Sequence, residues 1–163
     1  NDARVVQVEA EDAGRALADM VAERKAEFPD HSEHLDAYAT RFNETIPGPV
    51  PGSYEIVGEL ASRDVPLFAI TNFGAEFWAG FRPTQPVFDH FRDVVVSGEE
   101  KLTKPDPAIY RLALDRFGLA AGEGLFVDDS LTNVEAARAN GFHAHHFVDA
   151  PTLRAELEAL GLL

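Results

Sequence analysis

Cysteine is absent from the 163-residue chain. Disulfides, thiol nucleophiles and zinc–thiolate centres are therefore excluded, and a reducing cytoplasm is the expected compartment. Long apolar runs are absent too. The longest clean one, Val65 to Ile70, contains Pro66, whereas a bilayer span needs about 20 apolar residues. No membrane span is expected, and no signal peptide is legible. Basic residues are scarce: 14 Lys and Arg stand against 28 Asp and Glu, a formal net charge of −14. That surface repels phosphate backbones and disfavours nucleic acid as a partner. Any anionic substrate must then find a locally positive pocket made from a lysine, a metal or backbone N–H groups. Repeats and low-complexity tracts are also lacking. The first residue is Asn1 rather than Met, and we expect further residues upstream of it.

What is present is enough for a core: 45% of residues are hydrophobic, and the length suits one domain or one domain with a small insertion. The first part is helical in pattern. Leu17, Met20, Val21 and Phe28 share one face of a segment from about Glu11 to Phe28. Leu35, Tyr38, Ala39, Phe42 and Ile46 follow the i, i+3, i+4, i+7 spacing of a second amphipathic helix beyond Pro29. The breaker cluster Pro47-Gly48-Pro49-Val50-Pro51-Gly52 is the best domain boundary. Ser53 can cap a helix that buries Ile56, Val57 and Leu60. Pro66 to Thr71 is a strand of buried type, a short helix follows Gly74, and Val94 to Ser97 is a second strand. Asp106-Pro107 caps and starts a helix burying Ile109, Leu112, Ala113 and Phe117, with Gly118 to end it. Leu125 to Val127 is a third strand ending in Asp128-Asp129, followed by a helix to Asn140-Gly141. Phe142 to Phe147 is a fourth strand, and Thr152 to Leu160 a closing helix. This alternation predicts an α/β fold, a Rossmann-like parallel sheet flanked by helices.

Ligands of such sheets bind beyond the carboxyl ends of the strands. Three polar groups fall there: Thr71-Asn72, Lys104 in the loop Lys101 to Asp106, and Asp128-Asp129. A hydroxyl with nearby backbone N–H groups, helped by the helix start near Gly74, can bind phosphate oxygens. An ammonium offsets charge on a phosphoryl group and a nucleophile. Paired carboxylates suit Mg²⁺, a hard cation that takes a few oxygen ligands plus water.

Ile70-Thr71-Asn72, Lys104-Pro105-Asp106-Pro107 and Phe126-Val127-Asp128-Asp129-Ser130 resemble the second, third and fourth motifs of the haloacid dehalogenase superfamily. The stretch from Phe126 to Phe147, with Asp128-Asp129-Ser130-Leu131-Thr132-Asn133 and Asn140-Gly141, is similar to its small sugar-phosphate phosphatases. The resemblance covers Gly52 to Leu163 and implies residues 51–163 as the core, with residues 1–50 as part of an α-helical cap. It implies Thr71 and Lys104 as catalytic, Thr71, Asn72 and Lys104 as phosphate-binding, and Asp128 and Asp129 as holding Mg²⁺. Substrates of that family are small phosphorylated metabolites, and the chain is expected as a monomer or homodimer. Its attacking aspartate belongs to an Asp-x-Asp first motif, and no apolar run here ends in one. The nearest imitation is Val5-Val6-Gln7-Val8-Glu9-Ala10-Glu11; glutamate is a methylene too long, and a displacement of even ~1 Å can be severe. We therefore expect the first strand and its nucleophile upstream of Asn1, with a slot one strand wide between the Thr71 and Asp128 strands.

Two other functions remain open. A 2-haloacid dehalogenase shares a Ser/Thr-Asn second motif but needs no metal, and such enzymes typically carry serines where Asp128 and Asp129 stand and an aspartate where Asn133 stands. Adjacent carboxylates repel one another, which implies a cation and favours the phosphatase. A domain that has lost its nucleophile would instead bind or regulate. His143, His145 and His146 crowd one strand, with His146 on the opposite face; surface or edge positions are expected for them. Phe73, Phe77, Trp78 and Phe81 are expected in the core and against the cap, some of them lining the substrate pocket.

Overall fold

A computed structural model describes residues 14–163. Chain order among them is α1 (Leu17–Glu27), α2 (Ser32–Arg41), α3 (Ser53–Ser62), β1 (Phe68–Thr71), α4 (Ala75–Phe81), β2 (Asp93–Val96), α5 (Ser97–Glu100), α6 (Pro107–Phe117), β3 (Leu125–Asp128), α7 (Leu131–Ala139), β4 (His143–His146) and α8 (Ala150–Ala159), with short 3₁₀ turns between several of them. The fold is α/β, as the alternation predicts. β1 pairs with β2, and β3 pairs with β4 in parallel, with Asp128 opposite His146. β1 and β3 are therefore not hydrogen-bonded neighbours among the described residues. Val5 to Glu11, the nearest imitation of a first motif, lies outside them.

The chain forms two compact units. One comprises, among the described residues, 14–48, Thr71–Pro86 and Val96–Thr103. In it Phe42 stacks on Phe77 with centroids 4.3 Å apart, and Phe73 stacks on Phe81 at 5.3 Å. Phe77 and Trp78 are buried with Met20 and Val21.

The other unit comprises Pro49–Ile70, Val87–Val95 and Lys104–Leu163. Ile56 and Leu60 of α3 pack with Ala150, Leu153 and Leu157 of α8, and Leu125 and Phe147 join that cluster. Residues alternate across a strand, so Phe126 enters a separate aromatic group with Tyr110 and Phe142. Both faces of the β3–β4 pair are thus covered by helices, which leaves its polar strand ends as the place for chemistry.

Several local expectations shift. Among the described residues α1 starts at Leu17, after Gly14 at φ +84° and an extended Ala16, and the expected helix start near Glu11 lies outside them. α2 stops at Arg41, where a 3₁₀ turn carries Phe42 to Thr45. Ser53 does not cap α3: Gly52 holds that position at φ +83°, and the Ser53 hydroxyl donates to the Val50 carbonyl. An added Cβ at Gly52 would lie 2.7 Å from that of Ala150, so the turn requires glycine for space as well as conformation. Ser97 begins α5 instead of closing β2, and α8 starts at Ala150, capped by the Asp149 carboxylate. Asp106 and Pro107 cap and open α6 as the sequence predicts. Leu112 and Phe117 are only half-buried there, and Tyr110 is fully buried instead.

Candidate functional site

Asp128 ends β3 and is the best-determined member of the site. Its Oδ2 accepts from the Lys104 ammonium at 2.7 Å. Its Oδ1 accepts from the Ser130 backbone N–H at 2.9 Å and the Asn133 side-chain amide at 3.0 Å. The pair is nearly dry, with the Lys104 side chain 10% exposed and that of Asp128 7%. Lys104 also lies 5.5 Å from the Phe126 ring centroid, within cation–π range. Two charges in so little solvent persist only when paired and hydrogen-bonded, and these are.

The support behind Asp128 comes from α6 and α7. Tyr110 donates its hydroxyl to the Asn133 carbonyl at 3.0 Å. Burial, and then the nearby Asp128 carboxylate, pushes that hydroxyl well above the ordinary phenol range, so it remains a proton donor. Asn133 stands on the first turn of α7, five residues after Asp128, and Tyr110 on the inner face of α6. Sequence reasoning gave neither a role in the site. The signal for Asn133 was its place in the first turn of the helix leaving the Asp-Asp strand, where a side chain can reach back to the strand end.

Asp129 is exposed, and the His146 ring bonds its carbonyl oxygen at 3.0 Å. His143 and His146 are exposed as expected, but His145 is half-buried. Its Nε2 is a buried atom with no hydrogen-bond partner among the described residues. β4 pairs with β3 alone among the described strands, so the three histidines lie on an edge strand, with His145 the half-buried one. An open cavity of about 450 Å³ lies at the strand ends, lined by Val50, Val127, Asp128, Asp129, Phe147 and Val148.

Thr71 closes β1 and belongs with Asn72 to one unit, while Lys104, Asp128 and Asp129 belong to the other. The loop after it is held by Ser97, whose hydroxyl accepts from the Phe73 backbone N–H at 2.9 Å. That N–H is therefore not one of the groups left for an anion. Trp78 and Phe77 are core of this unit, whereas Phe73 and Phe81 are half-buried.

Among the described residues no three His, Asp or Glu side chains gather around one point. Mg²⁺ does not need such a cage, because it binds through one or two carboxylates with water and substrate oxygens. A carboxylate offers about four lone-pair directions. Lys104, Ser130 and Asn133 use three of those on Asp128, and the exposed Asp129 adds a second carboxylate. The donor set fits the ion. The argument that the carboxylate pair itself demands a cation does not survive, however: Lys104 already neutralises Asp128, and Asp129 is solvated.

A family model described as a haloacid dehalogenase-like hydrolase matches residues 3–141. The chain is 32% identical over 105 residues to the sesquiterpene phosphatase AstK of Aspergillus oryzae, covering 64% of this chain and 54% of that protein. It is 34% identical over 87 residues to the phosphoglycolate phosphatase of Pectobacterium atrosepticum, covering 53% of this chain and 37% of that one. The chain thus spans about half or less of the length of these curated relatives. Among solved structures, a wild-type HAD family enzyme of Bacteroides thetaiotaomicron in complex with magnesium and inorganic phosphate superposes with a TM-score of 0.66 at 21% identity, over 83% of this chain and 71% of that one. A dehalogenase superposes with a TM-score of 0.61 at 21% identity, over 74% and 53%. Both likenesses show the shared fold. With the family match across most of its length, the chain belongs to the haloacid dehalogenase-like hydrolases.

Proposed function

We propose that the protein is a Mg²⁺-dependent phosphatase of small phosphorylated metabolites, in which residues 51–163 form the Rossmann-like core and residues 1–50 belong to a helical cap. The observation that carries this reading is the dry Lys104–Asp128 pair at the end of β3, with the exposed Asp129 beside it and an open cavity in front. The named phosphatases among its relatives support it, as does the magnesium and phosphate held by a protein of the same fold.

In this mechanism the phosphoryl group passes through an aspartyl intermediate on a first-motif carboxylate. Thr71 and Asn72 bind phosphoryl oxygens through hydroxyl and amide donors, and Lys104 offsets the negative charge of the phosphoryl group and its attacker. Asp128 and Asp129 would hold Mg²⁺, which would supply further charge neutralisation on the phosphoryl oxygens. Asn133, Ser130 and Tyr110 fix the orientation of Asp128, so that its free lone pair keeps one direction.

One observation favours the dehalogenase alternative: Lys104 already supplies the cation that Asp128 requires. Phosphate release from p-nitrophenyl phosphate and chloride release from 2-chloroacids, each measured with and without EDTA, separate the two. Metal-dependent phosphate release supports the phosphatase. Chelator-insensitive halide release overturns it.

A further inference from the structure

We propose that Ser97 and Gly98 are positioning residues for the Thr71–Asn72 phosphate subsite. They fasten the backbone that leaves it, and the proposal rests on the phosphate reading of Thr71 given above. Asn72 and Phe73 lie between β1 and α4, and Gly74 caps α4, its carbonyl accepting from the Trp78 N–H at 2.9 Å. Backbone polar groups away from water must still be satisfied, and at Phe73 both are satisfied by the same two residues. The Phe73 N–H donates to the Ser97 hydroxyl oxygen at 2.9 Å. That hydroxyl lies 3.4 Å from the Phe73 carbonyl as a donor, and the Gly98 N–H donates to the same carbonyl at 3.1 Å.

Burial and space point the same way. Ser97 is fully buried, the polar residue in the described core. Replacing a buried hydroxyl with carbon would orphan the Phe73 N–H, which costs more than the hydrogen bond itself is worth. Gly98 has an ordinary φ and is required for approach rather than conformation. A Cβ there would lie 2.5 Å from the Ala75 nitrogen, 2.9 Å from the Phe73 oxygen and 3.0 Å from the Gly74 carbonyl carbon. The two backbones touch, and only glycine permits it.

Ser97 also closes the turn that follows it. Its carbonyl accepts from Lys101 and from Leu102, the latter at 3.3 Å, with Lys101 in the left-handed region at φ +58°. From there the chain runs on to Lys104. One residue therefore anchors both the exit of the Thr71 loop and the start of the segment that delivers the lysine. Catalytic constellations tolerate displacements of only about 0.5 Å, so loosening this anchor acts on ligand affinity and not on stability alone.

The test uses the full chain with saturating Mg²⁺, inorganic phosphate as the titrant, and amide hydrogen exchange as an independent readout. Ser97→Ala is expected to weaken phosphate binding about tenfold and to speed exchange at the Phe73 amide by about tenfold or more, with the Leu125–Asp128 amides unchanged. Ser97→Thr keeps the hydroxyl and is expected to bind phosphate within about threefold of wild type even where the added methyl lowers the melting temperature. A Ser97→Ala protein with wild-type phosphate affinity, measured while Thr71→Ala is weakened, overturns the proposal. So does an unchanged Phe73 exchange rate. If Thr71→Ala itself binds phosphate normally, the phosphate subsite is what fails, and the Phe73 exchange still decides whether Ser97 holds the loop.

Discussion

Removing both members of the Lys104–Asp128 pair should destabilise the protein by less than the sum of the two single losses. At 2.7 Å, the attraction between unit charges is roughly 6 kcal/mol at an effective dielectric of about 20. Taking each ion out of water costs several kcal/mol, so the two effects nearly cancel and the pair adds little net stability. A lone charge left behind has no such compensation, and breaking a buried pair typically costs about 3–5 kcal/mol. Lys104→Met should therefore lose about that much. Asp128→Asn keeps an acceptor for the Ser130 N–H and the Asn133 amide, so it isolates the charge, and should lose a similar amount. The double variant should lose less than the sum by about 2 kcal/mol or more. Urea unfolding at neutral pH, followed by far-ultraviolet circular dichroism without and then with Mg²⁺, measures the cycle. A coupling below about 0.5 kcal/mol, the size of an exposed pair, would refute the reasoning and mean that water reaches the strand end.

Other consequences follow from single contacts. Mg²⁺ at a hundredfold excess over its dissociation constant should stabilise the folded chain by about 2.7 kcal/mol, read as a rise in melting temperature that Asp128→Asn with Asp129→Asn removes; no rise in wild type sinks the metal assignment. Arg116 clasps Asp93 at 2.6 and 2.9 Å and, through that bonding, holds its carboxyl below the usual range. The contribution is present above the unfolded-state value of about 3.9 and is lost as pH falls through the lower folded value, so the stability gap between wild type and Asp93→Asn should close on acidification and stay constant from pH 5 to 7. Ile109 is fully buried and Val148 is 69% exposed; Ile109→Ala should cost about 2–5 kcal/mol and Val148→Ala within about 0.5 kcal/mol, and equal losses would contradict the assigned core.

The order of elements from Ser53 onward was legible because β1, β2 and β3 are short apolar runs between strong stop signals, and β4, itself His143-Ala144-His145-His146, is bracketed by Phe142 and Phe147. Asp106-Pro107, Gly118 and Asn140-Gly141 punctuate where local chemistry dictates it. The errors fall where a neighbour decides. Ser53 has the side chain of a cap, yet Gly52 takes the position because α8 presses against it at Ala150. Tyr110 reads as a polar-tipped residue one step off the helix stripe. It is buried because Asn133 offers its hydroxyl a carbonyl and Phe126 and Phe142 surround its ring. No periodicity reveals a partner that lies 23 residues away.

The site shows the same limit in its electrostatics. Asp128 and Asp129 are adjacent in sequence, and adjacency suggested two carboxylates whose mutual repulsion implies a cation. β3 ends at Asp128 and Asp129 lies in the bend after it, so neighbours along the chain need not be neighbours in space. Asp128 points into the covered face, where its carboxylate meets the Lys104 ammonium and two N–H donors, while Asp129 faces water. The repulsion that seemed to require a metal is thereby relieved by a lysine 24 residues upstream. In the proposed mechanism Mg²⁺ is drawn by something other than that repulsion: the remaining lone pair of Asp128, the solvated carboxylate beside it, and the charge an incoming phosphate brings. Metal affinity should accordingly rise when phosphate is present, because ligands that share charge compensation bind cooperatively and reciprocally. Titrating Mg²⁺ with and without inorganic phosphate measures this coupling. Equal affinities in the two titrations would mean that metal and phosphate do not share the end of β3.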